Sequence, residues 1–167
     1  MEDRVKRLVV PVSGQRSDER AIRVAAQIAD KKPIELTLIH VVEVPQQLPL
    51  DAELPAEIER GESILRGAEQ LAQSLLTGKS VHVESELLQA RSAGTAVVDE
   101  AIERKSHLII MGTRLRSKHG KVGLGETTRY ILQTSPCEVM LLRQAMGAAE
   151  EEALLTIASA GQSWASR

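Results

Sequence analysis

The chain has no phenylalanine, one tryptophan and one tyrosine, so the aromatic stacking that grips single-stranded nucleic acid has almost nothing to work with. Its single cysteine, Cys137, can close no internal disulfide and build no cysteine-rich zinc site, which fits a reducing, cytoplasmic setting. No run of about 18 apolar residues occurs, so no membrane span is expected. The apolar stretch near the N-terminus stops at Pro11, too early for a signal-peptide core. Neither sign of charge dominates. With 21 Lys+Arg against 23 Asp+Glu the net charge is -2, which argues against a wholesale polyanion binder. Catalytic sets are missing too. His40, His82, His107 and His119 lack metal-ligand spacing, and no Ser/His/Asp set, Cys/His set or carboxylate pair stands out. What remains is 167 residues, 43% apolar, enough for one domain with a full core.

Short apolar runs alternate with longer amphipathic ones, the pattern of βαβ units around a parallel sheet. Arg7 to Ser13 reads as a buried strand with a turn at Gly14. Ser17 is the expected N-cap of a helix carrying Ala21, Ile22, Val24, Ala25, Ile28 and Ala29 at helical spacing. Ile34–Val42 is the second strand, followed by a proline-rich loop and a helix from Glu57 to Leu76 that ends near Gly78. Val81 to Leu88 is the third strand, Thr95 to Glu103 a short helix, and Leu108–Met111 the fourth strand, closed by Gly112. A basic loop runs to Gly125, a helix follows through Gln133, and Val139–Leu142 is the last strand. This order implies an α/β fold: five parallel strands with right-handed crossovers and helices on both faces. After Arg143 the composition turns to Ala, Glu, Ser and Gly, so residues 1–143 form the domain and 144–167 a weakly structured tail, with one weak helix over Glu150 to Ser159.

In such a sheet, ligands sit beyond the carboxyl ends of the strands. Two loops meet there: Ser13–Gly14, and the stretch from Gly112 to Gly125, which also holds Gly120, Gly123, Arg114, Arg116, Lys118, His119 and Lys121. Glycines let backbone amides approach a phosphate, and a following helix N-terminus favours an anion. A phosphate cradle and a solvated loop whose glycines only make turns both remain open. No Gly-Lys-Ser/Thr closes the loop as in a Walker A sequence. Cys137, after Ser-Pro at a strand start, reads as a small core residue rather than a nucleophile.

The segments RLVVPVSG, DERAIRVAAQIA, LTLIHVV, LIIMGT and TRYILQTSPCEVMLLR resemble the universal stress protein family, from about Val5 to Arg143. VVEVPQQLPLDAEL and LLQARSAGTAVVDEA are similar to the universal stress domains on cytosolic tails of some amino-acid permeases. The resemblance implies a Rossmann-like sheet of order 3-2-1-4-5, akin to the adenine-nucleotide alpha hydrolases. It also implies an adenine nucleotide, ATP or AMP, held by Pro11, Val12, Ser13, Val41, Met111, Gly112, Thr113, Arg114, Leu115, Gly125, Glu126, Thr127 and Thr128. ATP-binding members carry Gly-x2-Gly-x9-Gly-Ser/Thr after the fourth strand. Gly112 and Gly125 hold the first and third glycine positions, but Leu115 replaces the second and Glu126 the hydroxyl residue. Ser13 stands where an aspartate follows the first strand, and His107 where one opens the fourth.

If Leu115 needed a left-handed backbone it would cost about 1–2 kcal/mol. A Glu126 carboxylate about 6 Å from a phosphate charge would cost on the order of 3 kcal/mol at an effective dielectric of 20. The bland role for Glu126 is to sit in the first turn of its helix and stabilise the dipole. Together these predict weak ATP binding, with AMP or ADP competing on nearly equal terms. The expected protein is non-enzymatic and cytoplasmic, a homodimer paired through Val139–Leu142. A nucleotide-free interaction module serving a transporter is the second reading, and a slow ATP hydrolase the third, for which no base is evident.

Overall fold

The computed structural model describes residues 5–30, 33–77, 81–118 and 121–145, with side chains except at 116–118, 121 and 122. The chain runs β1 (Arg7–Pro11), α1 (Arg16–Ala29), β2 (Glu35–Glu43), α2 (Pro55–Leu75), β3 (His82–Ala90), α3 (Ala93–Glu103) and β4 (Leu108–Thr113). A small hairpin follows, β5 (Arg116–Lys118) with β6 (Lys121–Gly123), and then α4 (Glu126–Thr134) and β7 (Glu138–Arg143). Five strands form a parallel sheet in the order β3-β2-β1-β4-β7. This is the order 3-2-1-4-5 expected from the resemblance, β7 being the fifth strand of the sheet.

Strands buried on both faces explain the continuous apolar runs of the sequence. In β1, Leu8 and Val10 face a core built with Ala21, Ile22, Ala25 and Ala29 of α1 and Leu65, Ala68 and Ala72 of α2. Val9 faces the opposite core, with Val97, Val98 and Ala101 of α3 and Ile131 of α4. β4 divides likewise: Leu108 and Ile110 join the first core, Ile109 and Met111 the second. The alternation along a strand thus places one helix pair on each face. Cys137 packs against the second core, as its expected role requires.

Several boundaries differ from the sequence expectations. Helix α1 starts two residues earlier, with Gln15 as N-cap, and Ser17 is buried in its first turn. The carboxylate of Asp18 secures that start, accepting the Gln15 N–H at 3.0 Å. β4 does not close at Gly112 but runs on to Thr113, because β7 pairs with it through Thr113↔Arg143. The basic loop contains a hairpin, whose strands of three residues each are too short to leave an alternation pattern. The expectations for Gly78, His119, Gly120 and residues 146–167, including the helix over 150–159, lie outside the described residues.

The proline-rich segment before α2 is tied down by Arg91, which donates to the carbonyls of Val44, Pro45 and Leu48. At the edge of the sheet Arg104 closes α3 onto β3, paired with Glu84, Glu86 and Glu100. Among the described residues, no helix is long and apolar enough to cross a membrane.

Candidate functional site

The strand order reverses between β1 and β4: the chain builds outward from β1 to β3, then crosses back to start β4 on the other side. A cleft of about 360 Å³ opens there, beyond the carboxyl ends of the strands. That volume lies within the about 300–1,000 Å³ typical of small-molecule sites. β1 and its turn contribute Pro11, Val12 and Ser13. β2 contributes Val41, β4 and its exit Met111, Gly112, Thr113 and Arg114, and the start of α4 Gly125, Glu126, Thr127 and Thr128. Every residue expected from the resemblance lines this cleft except Leu115.

Gly112 explains how the walls come so close. A Cβ there would lie 2.0 Å from the carbonyl oxygen of Ser17, so only glycine lets the first turn of α1 rest on β4. On the other side, Thr113 and Thr128 are both buried and their hydroxyls lie 3.3 Å apart, fastening α4 to the end of β4. Gly125 is the N-cap of α4 and offers no side-chain acceptor. The first-turn amides of α4 therefore keep their donor capacity, and the helix dipole presents its positive end to the cleft. Arg114 adds an exposed guanidinium beside them.

The opposite wall holds residues that the sequence did not reveal. Ile39, Val97 and Ala93 give it an apolar lining. His40 lines it too; its Nδ1 lies 2.8 Å from the Val12 carbonyl oxygen, which can only accept, so the Nδ1–H donates. Glu43 accepts the Ala93 N–H at 2.8 Å and so caps α3. Gln15 and Asp18 complete the rim at the β1–α1 turn. Burial pushes the Asp18 carboxyl above its ordinary range, against the pull of the hydrogen bonds it accepts from Ser13, Gln15 and Gly14. Val97 and Ile39 were unrecognisable as lining because their positions equally suit a core. Asp18 could have been found as the third residue of a capping box, had Gln15 been considered as its cap.

Two expectations need correction. Among the described non-glycine residues only Lys105 has a positive φ (51°), so Leu115 carries no left-handed strain. Leu115 also stands clear of the cleft, bridging β4 to the hairpin, and a glycine is not needed there. His107, where the family's second aspartate was expected, precedes β4 at the far end of the sheet, its N–H donating to Arg7. Among the described residues no cluster of His, Cys, Asp and Glu is arranged to hold a metal ion.

The arrangement can seat an apolar ring between β2 and α3 and an anion at the start of α4. The comparisons with known proteins agree with this geometry. The family model for the universal stress protein family matches residues 4–143. A curated universal stress protein of Thermus aquaticus is 32% identical over 142 residues, covering 83% of this chain and 98% of that one. In fold, the universal stress protein from Archaeoglobus fulgidus in complex with dAMP superposes with a TM-score of 0.63 at 18% identity, over 81% of this chain and 96% of its own. A universal stress protein in complex with cAMP gives 0.61 at 20% identity, over 84% and 98%.

Proposed function

Because the chain belongs to the universal stress protein family, we propose that it is a non-enzymatic, cytoplasmic regulator that binds an adenine nucleotide weakly and works as a homodimer. The observation that carries this reading is the cleft at the strand-order switch, apolar toward β2 and α3 and rich in free amides at α4. A purine fits the first half and a phosphate the second. The complexes of fold relatives with dAMP and cAMP support adenine as the base. Three carboxylates, of Asp18, Glu43 and Glu126, share the lining with a single cation, Arg114, which favours ligands of low charge.

Small molecules extracted from the purified protein and identified by mass spectrometry are expected to include an adenine nucleotide. Calorimetry should give AMP, ADP and ATP affinities within about threefold of one another, roughly 0.7 kcal/mol. All three should weaken between low and physiological salt, because the phosphate end is held by Arg114 and exposed amides. Failure of all three to bind at millimolar concentration would leave the fold serving as an interaction module.

The dimer is inferred from β7, whose half-buried Val139, Met140, Leu141 and Leu142 lie at the edge of the sheet. An apolar edge strand needs a cover. Light scattering on a sizing column should return twice the 18.2 kDa of the chain at micromolar concentration. A mass of one chain there would refute the pairing.

A further inference from the structure

At the β1–α1 turn, three successive backbone amides point at one spot. The N–H groups of Ser13, Gly14 and Gln15 donate to Oδ2 of Asp18 at 2.7, 2.8 and 3.0 Å. Gly14 makes this possible with a φ of +83°, and its missing Cβ leaves room for Ile64, which such an atom would meet at 2.8 Å. Consecutive amides converging at the start of a helix, straight after a parallel strand, form the kind of concavity that holds a phosphate group. Here the concavity is filled by the protein's own carboxylate. Asp18 sits in the first turn of α1, is buried, and lines the cleft.

The two helix starts facing the cleft are therefore unlike. That of α1 already has its anion. That of α4 has a glycine N-cap and no side-chain acceptor, and its one acidic residue, Glu126, is exposed. A second anion at Ser13–Gln15 would meet a charge of its own sign and find the amides taken. A neutral hydroxyl is the better match for this corner: the second oxygen, Oδ1, has acceptor capacity to spare, since its contact with Ser13 Oγ is long at 3.4 Å.

We propose that Asp18 is a resident anion that closes the β1–α1 turn to phosphate and so fixes the direction in which a nucleotide lies. Its phosphates go to Gly125–Thr128 and Arg114, and its sugar hydroxyls to Ser13 and Asp18. The direction rests on the nucleotide-binding reading; the exclusion of phosphate from the turn does not. Asp18 is on this account a specificity-determining residue, acting by charge and by occupying donors.

The test follows backbone amide signals of the isotope-labelled full chain during titration with inorganic phosphate. In the wild type, Glu126, Thr127 and Thr128 should shift while Ser13, Gly14 and Gln15 stay still. In Asp18→Ser the turn amides should respond as well, with at least tenfold higher affinity at the turn than in the wild type. Asp18→Asn keeps the shape and removes only the charge, so it decides the matter if the serine variant folds poorly; it too should open the turn. Turn amides that respond to phosphate in the wild type as they do in the variants would overturn the proposal, as would variants whose turn stays silent. Failure of the nucleotide-binding reading would show separately, as silence at Glu126–Thr128 and toward AMP, and would leave the result at the turn standing.

Discussion

Gly112→Ala is expected to lower the melting temperature by about 6–12 °C and to abolish nucleotide binding. The added methyl would sit 2.0 Å from the Ser17 carbonyl oxygen and 2.4 Å from its carbon, both backbone atoms that cannot swing aside. Relief must come from moving α1 away from β4, and overpacking that forces backbone shifts costs about 1–3 kcal/mol. At roughly 2–4 °C per kcal/mol for a chain of this size, the upper end of that cost gives the stated shift. The same movement drags Asp18 and the β1–α1 turn out of register with α4, so binding goes with it. Gly123→Ala is the control: a Cβ there meets nothing within 4 Å, and its φ is unexceptional. Thermal unfolding and AMP calorimetry on the two variants check both halves. A Gly112→Ala protein that melts with the wild type would mean the close approach is not rigid.

Gly112 also shows what was legible in the sequence. Its position after four apolar residues marked the end of a central strand, and the switch-point rule placed a site there. The same logic located Ser13, Gly125 and the threonines of α4 within one cleft. Strands buried on both faces are conspicuous as β-branched and leucine runs, so the sheet was readable from β1, β2 and β4. β3 was harder, because an edge strand with mixed exposure alternates poorly. The β5–β6 hairpin left no trace, since three residues carry no period.

Other errors came from assigning a residue type one cause. Serine is a favoured N-cap, and Ser17 looked like one, but the α1 start is secured by Asp18 reaching backward from inside the helix. Glycine in a motif suggests a positive φ, and Leu115 therefore seemed costly. Glycine can equally be present for close approach, as at Gly112, or simply be tolerated. Conversely, the lining by His40, Glu43 and Val97 depends on where β2 and α3 end relative to each other. That is a tertiary fact no local pattern encodes.

Glu126→Ser should raise the ATP-to-AMP affinity ratio by about three- to tenfold, whereas Leu115→Gly should leave it unchanged. Glu126 is the first residue of α4 and lines the cleft at its anion-favouring end. One charge about 6 Å away costs on the order of 3 kcal/mol at an effective dielectric of 20, and exposure of the carboxylate to solvent reduces that to a fraction. Each phosphate added beyond the first brings further negative charge toward Glu126, so the relief on removing it grows from AMP to ATP. Stability moves the other way. The carboxylate favours the α4 dipole by about 0.3–1 kcal/mol, so the serine variant should melt slightly lower even as it binds ATP more tightly. That opposition separates a local charge effect from general tightening of the fold. Leu115 neither lines the cleft nor adopts a positive φ, so glycine there changes no contact with a ligand. Calorimetry on wild type and both single variants, at low and physiological salt, reads the ratios directly. The gain in Glu126→Ser should shrink as salt rises. A ratio unmoved by Glu126→Ser would place the distal phosphates away from the start of α4, and a ratio moved by Leu115→Gly would show that the β4–β5 link shapes the site after all.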